Sequence, residues 1–317
     1  MPANPVPLVV LGGGDRRPAR LPAEGRGKHP LTGHKGLDLR IGGRRLIELV
    51  LERMRASGAF DPIFVAGPAE AYRAAGIGVD LIDTNSSFGV NIGAAVEAAS
   101  AARPGSAIAF TTCDILPVFE ELDAAMREFR RGEPYDLWFP LVRVPADPSL
   151  LGASAWKPRY RFRAAAGEDR VEILPSHLIV VDPEALRLDF VFRLMDAGYR
   201  CRNRSVLYRL ALLFGTFLAT IVAHDLGRIV RGRRPTRVRD ILLSGSAGAM
   251  RLGRGNAPVA EIEDAVRGIF VRREHRDRHP ERRARMPFVD GLSLALDIDT
   301  EEEAREAESG IAARTRG

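Results

Sequence analysis

The sequence predicts an α/β fold with a mostly parallel, doubly wound sheet. Short apolar, β-branched runs alternate with helical segments, the first run ends in three glycines, and a later run is followed by an aspartate. Repeated strand–helix units favour parallel strands with helices on both faces of the sheet. At 317 residues the chain has room for one large α/β domain with a sizeable insertion.

The first strand is predicted at 8–11, and a glycine-rich loop follows it. Gly12, Gly13 and Gly14 would let backbone N–H groups approach an anion. The same long loop carries cationic side chains, among them Arg16, Arg17, Arg20, Lys28 and Lys35. This combination favours a phosphate site, although an ordinary glycine-rich turn with solvated charges has the same local pattern. The spacing matches neither the Walker A motif nor the dinucleotide-binding fingerprint.

Apolar spacing then predicts a regular alternation of elements. They are a helix at 46–54, a strand at 62–66, a helix at 68–75, a strand at 79–82, a helix at 89–102, a strand at 106–111 and a helix at 117–130. Asp114 follows the strand at 106–111 and is expected beside the glycine loop, because the carboxyl ends of parallel strands meet at one edge. Asn91 lies in the first turn of its helix, where it either contacts a base or ribose or acts as a polar cap.

The pattern changes after residue 136. Strands are predicted at 137–144 and 171–181, separated by a loop rich in Pro and Arg, and this region is expected to contact an acceptor. His177, in the second of these strands, either contacts the acceptor or is a structural histidine.

Two aspartates precede the last helix. Asp297 and Asp299 alternate around Ile298, so a strand here would direct them to opposite faces. Either one of them points towards the ligand edge of the sheet or both lie on a surface turn. Thr300 is predicted to cap the helix that follows, with Glu303 three residues later.

The segment 200–285 is predicted to be a helical, basic insertion, which leaves 1–199 and 286–317 as the α/β domain. Its apolar stretch at 210–223 is shorter than the ~20 residues that cross a bilayer, and arginines flank it on both sides. This stretch either packs the insertion onto the sheet as a buried helix or lies at a membrane interface. In the second case, residues 200–239 make peripheral contact with anionic lipid.

The run 272–285 at the end of this segment is rich in arginine. His275 and His279 are four residues apart, but no further histidine or cysteine completes a metal site. The run is predicted to be a solvated basic connector. No aromatic side chains interleave with it, so no specific nucleic-acid binding is expected.

Composition limits the class of protein and its location. The net charge of +6 comes mainly from arginine and suits anionic ligands. The two cysteines, Cys113 and Cys201, exclude a disulfide framework and fit a reducing compartment. The sequence shows no signal peptide, so a cytoplasmic location is expected, with a possible peripheral position at the inner membrane face.

Four motifs in a fixed order together resemble one family. They are Leu11-Gly12-Gly13-Gly14, then Lys35-Gly36-Leu37 with Gly42, Gly43, Leu46 and Ile47, then Asp114-Ile115-Leu116-Pro117, and last Asp297-Ile298-Asp299-Thr300. This combination is similar to the nucleotidyltransferases, especially the branch of the molybdenum-cofactor guanylyltransferases, called MobA-like NTP transferases.

The resemblance implies a Rossmann-like sheet of the sugar-nucleotide transferase type. It implies a Mg²⁺-dependent transfer of an NMP group from a nucleoside triphosphate to a phosphorylated small-molecule acceptor, with release of pyrophosphate. The family motifs assign nucleotide binding to Leu11, Gly12, Gly13, Gly14, Lys35 and Asn91, catalysis to Lys35, Asp114 and Arg17, and Mg²⁺ to Asp114 and Asp297.

Several assignments stay open at this point. Arg16 and Pro18 stand where the family has Gly and Arg, so Arg17 or Arg20 would replace the family's arginine. Asp299 is the alternative to Asp297. The altered loop also allows a nucleotide-binding regulatory module without turnover, and the basic segment allows a membrane-associated cytidylyl- or guanylyltransferase that acts on a lipid-precursor phosphate.

Overall fold

The computed structural model describes residues 4–14, 21, 23–84, 86–132, 134–165, 167–201, 206–238, 240–241 and 258–315. The strands are β1 Val6–Leu11, β2 Arg40–Ile41, β3 Arg44–Arg45, β4 Phe60–Gly67, β5 Asp80–Asp83, β6 Ile108–Thr112, β7 Tyr135–Trp138, β8 Leu141–Arg143, β9 Tyr160–Arg163, β10 Arg170–Pro175, β11 Ile179–Val181, β12 Arg283–Arg285 and β13 Phe288–Val289. The helices are α1 Lys35–Asp38, α2 Leu46–Ala56, α3 Ala69–Ala74, α4 Phe88–Ala102, α5 Phe119–Arg131, α6 Leu188–Cys201, α7 Val206–Val230, α8 Val259–Phe270, α9 Arg273–Arg278 and α10 Glu301–Thr315.

A seven-stranded sheet forms the centre of the molecule, in the order β12-β7-β11-β6-β1-β4-β5. The strands of this sheet are mutually parallel except β11, which pairs antiparallel with both β6 and β7. The predicted α/β class with a mostly parallel sheet is therefore confirmed. The elements predicted between residues 46 and 130 are all present, with ends that differ by at most two residues.

The sheet is covered on both faces, and β1 shows why. Leu8 and Val10 are fully buried in a cluster that includes apolar residues of α2 and α5. Val9, whose side chain points the opposite way, is fully buried in a second cluster with residues of α4. A strand that is apolar at every position thus has to lie between two layers of helices.

The prediction of two long strands at 137–144 and 171–181 is wrong, because each is divided between two sheets. β7 and β11 belong to the central sheet, whereas β8 and β10 belong to a four-stranded sheet of order β13-β8-β10-β9. Pro140, which has no backbone N–H, separates β7 from β8. Between β10 and β11, the backbone N–H of His177 donates to the carbonyl oxygen of Leu294 at 2.7 Å instead of continuing a strand ladder.

The prediction of a solvated connector at 272–285 is also wrong. This run forms α9 and β12, and β12 pairs in parallel with β7 in the central sheet. Asp136 is fully buried, and Arg267 donates to its Oδ2 at 2.7 Å. His275, which is 8% exposed, lies 3.2 Å from Oδ1 of Asp136, and Arg282 lies at the same distance. Arg267 and Arg282 neutralise the buried carboxylate of Asp136, so part of this basic region lies inside the fold.

The apolar stretch predicted at 210–223 lies within α7, a helix of 25 residues that packs against α6. In the described part of the chain, no helix is both long enough and apolar enough for a membrane span. The division of the chain at residues 199 and 285 stays a prediction, although β12 shows that the central sheet takes a strand from the segment before residue 286.

Candidate active site

Lys35 lies at the start of α1, a short helix that brings it to the carboxyl ends of β1 and β6. Its Nζ donates to Oδ2 of Asp114 at 2.9 Å and to Oδ1 of Asp299. Burial alone would lower the pKa of Lys35, but the carboxylates of Asp114 and Asp299 raise it above its ordinary value. The ammonium group is therefore charged and held between the carboxylates of Asp114 and Asp299.

The glycine loop packs tightly against Tyr72 of α3. The hydroxyl of Tyr72 donates to the carbonyl oxygen of Gly12 at 2.9 Å, and a Cβ on Gly12 would lie 2.3 Å from the same hydroxyl. Gly36, next to Lys35, also faces Tyr72, since its Cβ would come within 3.2 Å of the hydroxyl oxygen. Both backbones approach the ring too closely for a larger side chain, so Tyr72 fixes the loop relative to α1.

The other members of the loop differ in their surroundings. Leu11 ends β1 between Ala66 and Thr112 of the neighbouring strands. Around a Cβ on Gly13, the structure leaves open space, whereas a Cβ on Gly14 would lie 2.4 Å from Nδ1 of His34.

Only some of the cationic residues predicted to line this loop are among the residues that the structure describes. Arg16, Arg17 and Arg20 lie outside them, so the choice of a phosphate-binding arginine stays a prediction. Lys28 donates its backbone N–H to the carbonyl oxygen of Gly25 at 3.2 Å. Among the ion pairs of the described residues, none involves the side chain of Lys28.

Asp114 follows β6, as predicted, and faces the late aspartate Asp297. Oxygen atoms of these two carboxylates and a ring nitrogen of His177 all lie within 4.8 Å of one another. Oδ2 of Asp114 accepts from Lys35, whereas its Oδ1 is buried and has no hydrogen-bond partner among the described residues. A buried carboxylate oxygen without a partner is costly, and a bound cation would satisfy it.

Lys157, which the sequence analysis did not single out, completes the site. Its Nζ donates to the carbonyl oxygen of Asp297 at 2.7 Å, to Oδ1 of Asp297, and to Oδ2 of Asp299 at 3.3 Å. Oε1 of Glu303 lies 3.4 Å away, and the side chain of Lys157 is only 7% exposed. Burial alone would lower the pKa of Lys157, but Asp297, Asp299 and Glu303 raise it.

The expectation that Asp297 and Asp299 face opposite sides is wrong, because Lys157 contacts both carboxylates. Residues 297–299 do not form a regular strand; Asp297 makes an isolated bridge with Ile115. Burial raises the pKa of Asp299, and so does the charge of Asp297. Asp297 behaves in the opposite way: despite burial, its contacts with His177 and Lys157 hold its pKa well below the ordinary value.

The predicted cap of the last helix is present, and it is connected to the site. The hydroxyl of Thr300 accepts from the backbone N–H of Glu303 at 3.3 Å, and Oε2 of Glu303 accepts from the backbone N–H of Thr300 at 3.0 Å. The other carboxylate oxygen of Glu303 faces Lys157. One side chain therefore both begins α10 and takes part in the ion cluster.

His177 lies where the chain passes from β10 to β11, between the two sheets. Its Nδ1 is 3.3 Å from the hydroxyl of Thr112, and its Nε2 is 3.5 Å from Oδ1 of Asp297. Burial would lower the pKa of His177, but the charge of Asp297 raises it. His177 therefore lies beside Asp114 and Asp297. Its contact with an acceptor stays a prediction.

Asn91 is occupied by a local contact. Its side-chain amide donates to the carbonyl oxygen of Ser86 at 3.3 Å, and its Oδ1 accepts from the backbone N–H of the same residue at 3.1 Å. These bonds join Asn91 to the loop before α4. The polar cap and the contact with a base or ribose both stay predictions.

The cluster has an excess of negative charge. Two ammonium groups face four carboxylates, which belong to Asp114, Asp297, Asp299 and Glu303. Lysine is rare in this chain: the sequence contains only Lys28, Lys35 and Lys157 among 47 cationic residues, and two of the three are in the site. Lysine's compact charge fits a narrow space between carboxylates better than a planar guanidinium does.

Comparison with solved structures finds one that shows the same fold, with a TM-score above 0.5. The backbone resembles that of a hypothetical transferase from Thermus thermophilus, with a TM-score of 0.56 at 19% identity, over 95% of this chain and 100% of that one. A CMP:2-keto-3-deoxy-manno-octonic acid synthetase in complex with CTP has a TM-score of 0.48 at 12% identity, over 98% and 100% of the two chains. For a 4-diphosphocytidyl-2C-methyl-D-erythritol synthase from Anaerococcus prevotii, the TM-score is 0.45 at 8% identity, over 98% and 99%.

The sequence itself identifies the family. No curated protein sequence matches the chain. However, residues 9–177, more than half of its length, match the family described as MobA-like NTP transferase domain. The matched region contains the glycine loop, Lys35 and Asp114, and it ends at His177. The chain therefore belongs to the family of MobA-like NTP transferase domains.

Proposed function

We propose that this protein is a Mg²⁺-dependent nucleotidyltransferase that moves an NMP group from a nucleoside triphosphate to a phosphorylated small-molecule acceptor, with release of pyrophosphate. The observation that carries this proposal is the meeting of Asp114 and Asp297 beside Lys35 at the carboxyl edge of the parallel sheet. Ligands of open α/β sheets bind at this edge.

Asp114 and Asp297 are suited to hold Mg²⁺. Both offer carboxylate oxygens, which this hard cation prefers, and Oδ1 of Asp114 is buried without a partner among the described residues. When bound, the ion would supply positive charge to the triphosphate in the transition state. His177, whose Nε2 is 3.5 Å from Asp297, orients that carboxylate through its ring.

Lys35 is the residue to contact the triphosphate. Its ammonium group, held by Asp114 and Asp299, can exchange one carboxylate for a phosphate oxygen while it keeps the other. A charge fixed in this way holds the α-phosphate for in-line attack by the acceptor and offsets negative charge as the bond to pyrophosphate breaks.

The glycine loop would bind the nucleotide through its backbone. Gly13 is exposed, and no atom of the described residues lies within 4 Å of the position of its Cβ, so a ligand can approach the main chain there. Because Tyr72 fixes the loop next to Lys35, the two phosphate-binding elements keep a constant distance.

Lys157 is a positioning residue in this proposal. It is buried and directs Asp297 and Asp299 through hydrogen bonds, so it acts through these carboxylates rather than on substrate. The presence of both metal-binding carboxylates and of Lys35 supports turnover over a regulatory module that binds a nucleotide without reaction.

The test is a pyrophosphate-release screen with the four nucleoside triphosphates, a panel of phosphorylated acceptors, and Mg²⁺ or a chelator. We expect release that depends on both acceptor and Mg²⁺, and its loss in Asp114→Asn, a variant of the same size without the charge. Tight triphosphate binding without release for every acceptor tested would favour the regulatory module.

A further inference from the structure

The exposed face of α7 lacks the polar side chains that a surface helix normally carries there. Thr220, Ile221 and Asp225 are buried against the protein. The face towards solvent between 215 and 230 carries only apolar residues: Gly215, Leu218, Ala219, Val222, Ala223, Leu226, Ile229 and Val230. A helix in contact with water on this side would carry polar residues there, so the sequence indicates that another apolar phase covers it.

The exposed apolar side chains form one continuous stripe. Leu218 is 41% exposed, Val222 40%, Leu226 55% and Ile229 53%, and they follow one another at intervals of three or four residues. We call these four residues the α7 stripe. Together with Gly215 and Val230 at its ends, the exposed face extends over about 22 Å at 1.5 Å per residue, an apolar surface of a kind that marks an interaction site.

The helix is prevented from turning the stripe inward by contacts on its other face. Phe190 of α6 packs edge-on against Phe217 with ring centroids 5.5 Å apart, and both lie in a cluster with buried Ile221. The carboxylate of Asp225 accepts from the backbone N–H groups of residues 236, 237 and 238 at 3.2, 3.1 and 2.7 Å. Among the described residues, these contacts hold the stripe towards solvent.

A basic turn follows the stripe directly. Arg231, Arg233 and Arg234 are exposed, and the chain turns at Gly232, which has a φ of 68°. Within the described residues, no carboxylate pairs with these three guanidinium groups. Asp225, the last acidic residue before them, is occupied by backbone N–H groups. The positive charge at this end of the stripe is therefore available to an anionic partner.

We propose that α7 binds the surface of an anionic lipid bilayer. The helix lies parallel to the surface, with the α7 stripe at the boundary between headgroups and acyl chains and with Arg231, Arg233 and Arg234 on lipid phosphates. A second copy of this helix is a poorer partner, because its exposed face between 215 and 230 offers no acidic group to the arginines. An apolar stripe that ends in three exposed guanidinium groups matches a bilayer in both respects.

The test is cosedimentation of the purified chain with vesicles. Vesicles of phosphatidylcholine alone are compared with vesicles that contain ~30% phosphatidylglycerol, at about 50 and about 500 mM NaCl. We expect binding to the anionic vesicles at low salt, with much weaker binding at high salt and to the neutral vesicles.

Two double variants separate the apolar and the electrostatic parts. Leu226→Glu with Ile229→Glu should weaken vesicle binding by at least about tenfold, because it places charge in the stripe. Arg231→Glu with Arg233→Glu should weaken binding at low salt and reduce its salt dependence. The matched control is Arg127→Glu with Arg131→Glu, which changes the net charge equally at two exposed positions of α5 and should bind like wild type.

Three outcomes would overturn the proposal. The first is wild-type protein that stays in solution with anionic vesicles at low salt. The second is a Leu226→Glu/Ile229→Glu variant that binds vesicles as tightly as wild type. The third is a wild-type protein that is a dimer and binds no vesicles, with the Leu226→Glu/Ile229→Glu variant a monomer. The last result would assign the stripe to an interface between copies. Thermal unfolding checks that each variant is folded. Asp114→Asn should bind vesicles like wild type, so the vesicle test does not depend on the proposed catalytic activity.

Discussion

The backbone N–H of Ile298 donates a hydrogen bond of 2.8 Å to the carbonyl oxygen of Asp114. This bond joins the chain after β6 to the segment before α10, next to the bridge between Ile115 and Asp297. The main chain thereby sets the distance between the carboxylates of Asp114 and Asp297. Such a support would keep the proposed metal site in place before any ligand arrives.

Substitution of the two late aspartates should separate their roles. Asp297→Asn is expected to lower Mg²⁺-dependent pyrophosphate release by about 10²–10³-fold and to raise the Mg²⁺ concentration required, because it removes a ligand. Asp299→Asn should keep the wild-type Mg²⁺ requirement, since Lys35 retains Asp114 as a partner. Titration of activity with Mg²⁺ measures both effects. Identical Mg²⁺ requirements in the two variants would contradict the assignment of Asp297.

Removal of the buried charge of Lys157 should destabilise the protein. Lys157→Met keeps a long side chain but removes the buried ammonium group that contacts Asp297, Asp299 and Glu303. Lys35 still contacts Asp299, so we expect a cost of roughly 3 kcal/mol in the free energy of unfolding, mainly from Asp297 and Glu303. Added Mg²⁺ should restore part of this loss. Urea unfolding with and without Mg²⁺ is the measurement, and Lys28→Met is the control. Equal stability of Lys157→Met and wild type would show that the ion cluster does not hold the site together.

Substitution by alanine should lower stability at Gly12 of the glycine loop but not at the neighbouring Gly13. Gly12→Ala places a Cβ 2.3 Å from the Tyr72 hydroxyl and should cost about 1–3 kcal/mol in stability, whereas Gly13→Ala meets no atom within 4 Å. In a Tyr72→Phe background the cost of Gly12→Ala should fall, because the hydroxyl that it meets is absent. Thermal unfolding of wild type, Gly12→Ala, Gly13→Ala, Tyr72→Phe and the double variant Tyr72→Phe/Gly12→Ala measures these differences in stability. Equal losses at Gly12 and Gly13 would contradict the packing described for the loop.

Stability should fall on mild acidification because of His275. Burial lowers the pKa of His275 below its usual value of 6.5, Arg282 and His279 act in the same direction, and Asp136 and Asp182 oppose them. Below about pH 6.5 the unfolded chain therefore binds a proton that the folded protein does not, so stability is lost as pH falls towards the folded pKa. Above pH 6.5 the neutral ring is the same in both states.

His275→Gln tests this linkage. Its free energy of unfolding should change less than that of wild type between about pH 7 and pH 5, by at most ~1.4 kcal/mol per pH unit for one proton. Urea unfolding at several pH values gives the slopes, and His279→Gln, a more exposed position, should retain most of the wild-type slope. Parallel curves for His275→Gln and wild type would exclude His275 as the titrating group.

The parts of the fold that sequence could predict are those with local causes. The apolar run at β1, the glycines after it and the strand before Asp114 are each visible in a window of a few residues, and all are in the structure. The capping pair Thr300 and Glu303 is equally local and is confirmed. Parallel-sheet topology then brings the ends of β1 and β6 together without further information.

The features that the sequence analysis missed depend on contacts between residues that are distant in the chain. Lys157 lies in a loop without regular pattern, and its role appears only when Asp297 and Asp299 reach it from 140 and 142 residues away. The run 272–285 has the composition of a solvated segment, but His275 in this run lies against the buried carboxylate of Asp136. The one sequence signal for Lys157 was the scarcity of lysine in an arginine-rich chain.

The bond between Ile298 and Asp114 also has a consequence for synthesis of the chain. Lys35, Asp114, Lys157 and His177 are all made before Asp297, and ribosomes add residues from the amino terminus onward. A nascent chain that ends shortly before Asp297 holds most of the cluster but lacks the segment that closes it. We therefore expect stalled chains of that length to be inactive and susceptible to proteases around Lys157, and activity to begin only after the start of α10 has left the ribosome.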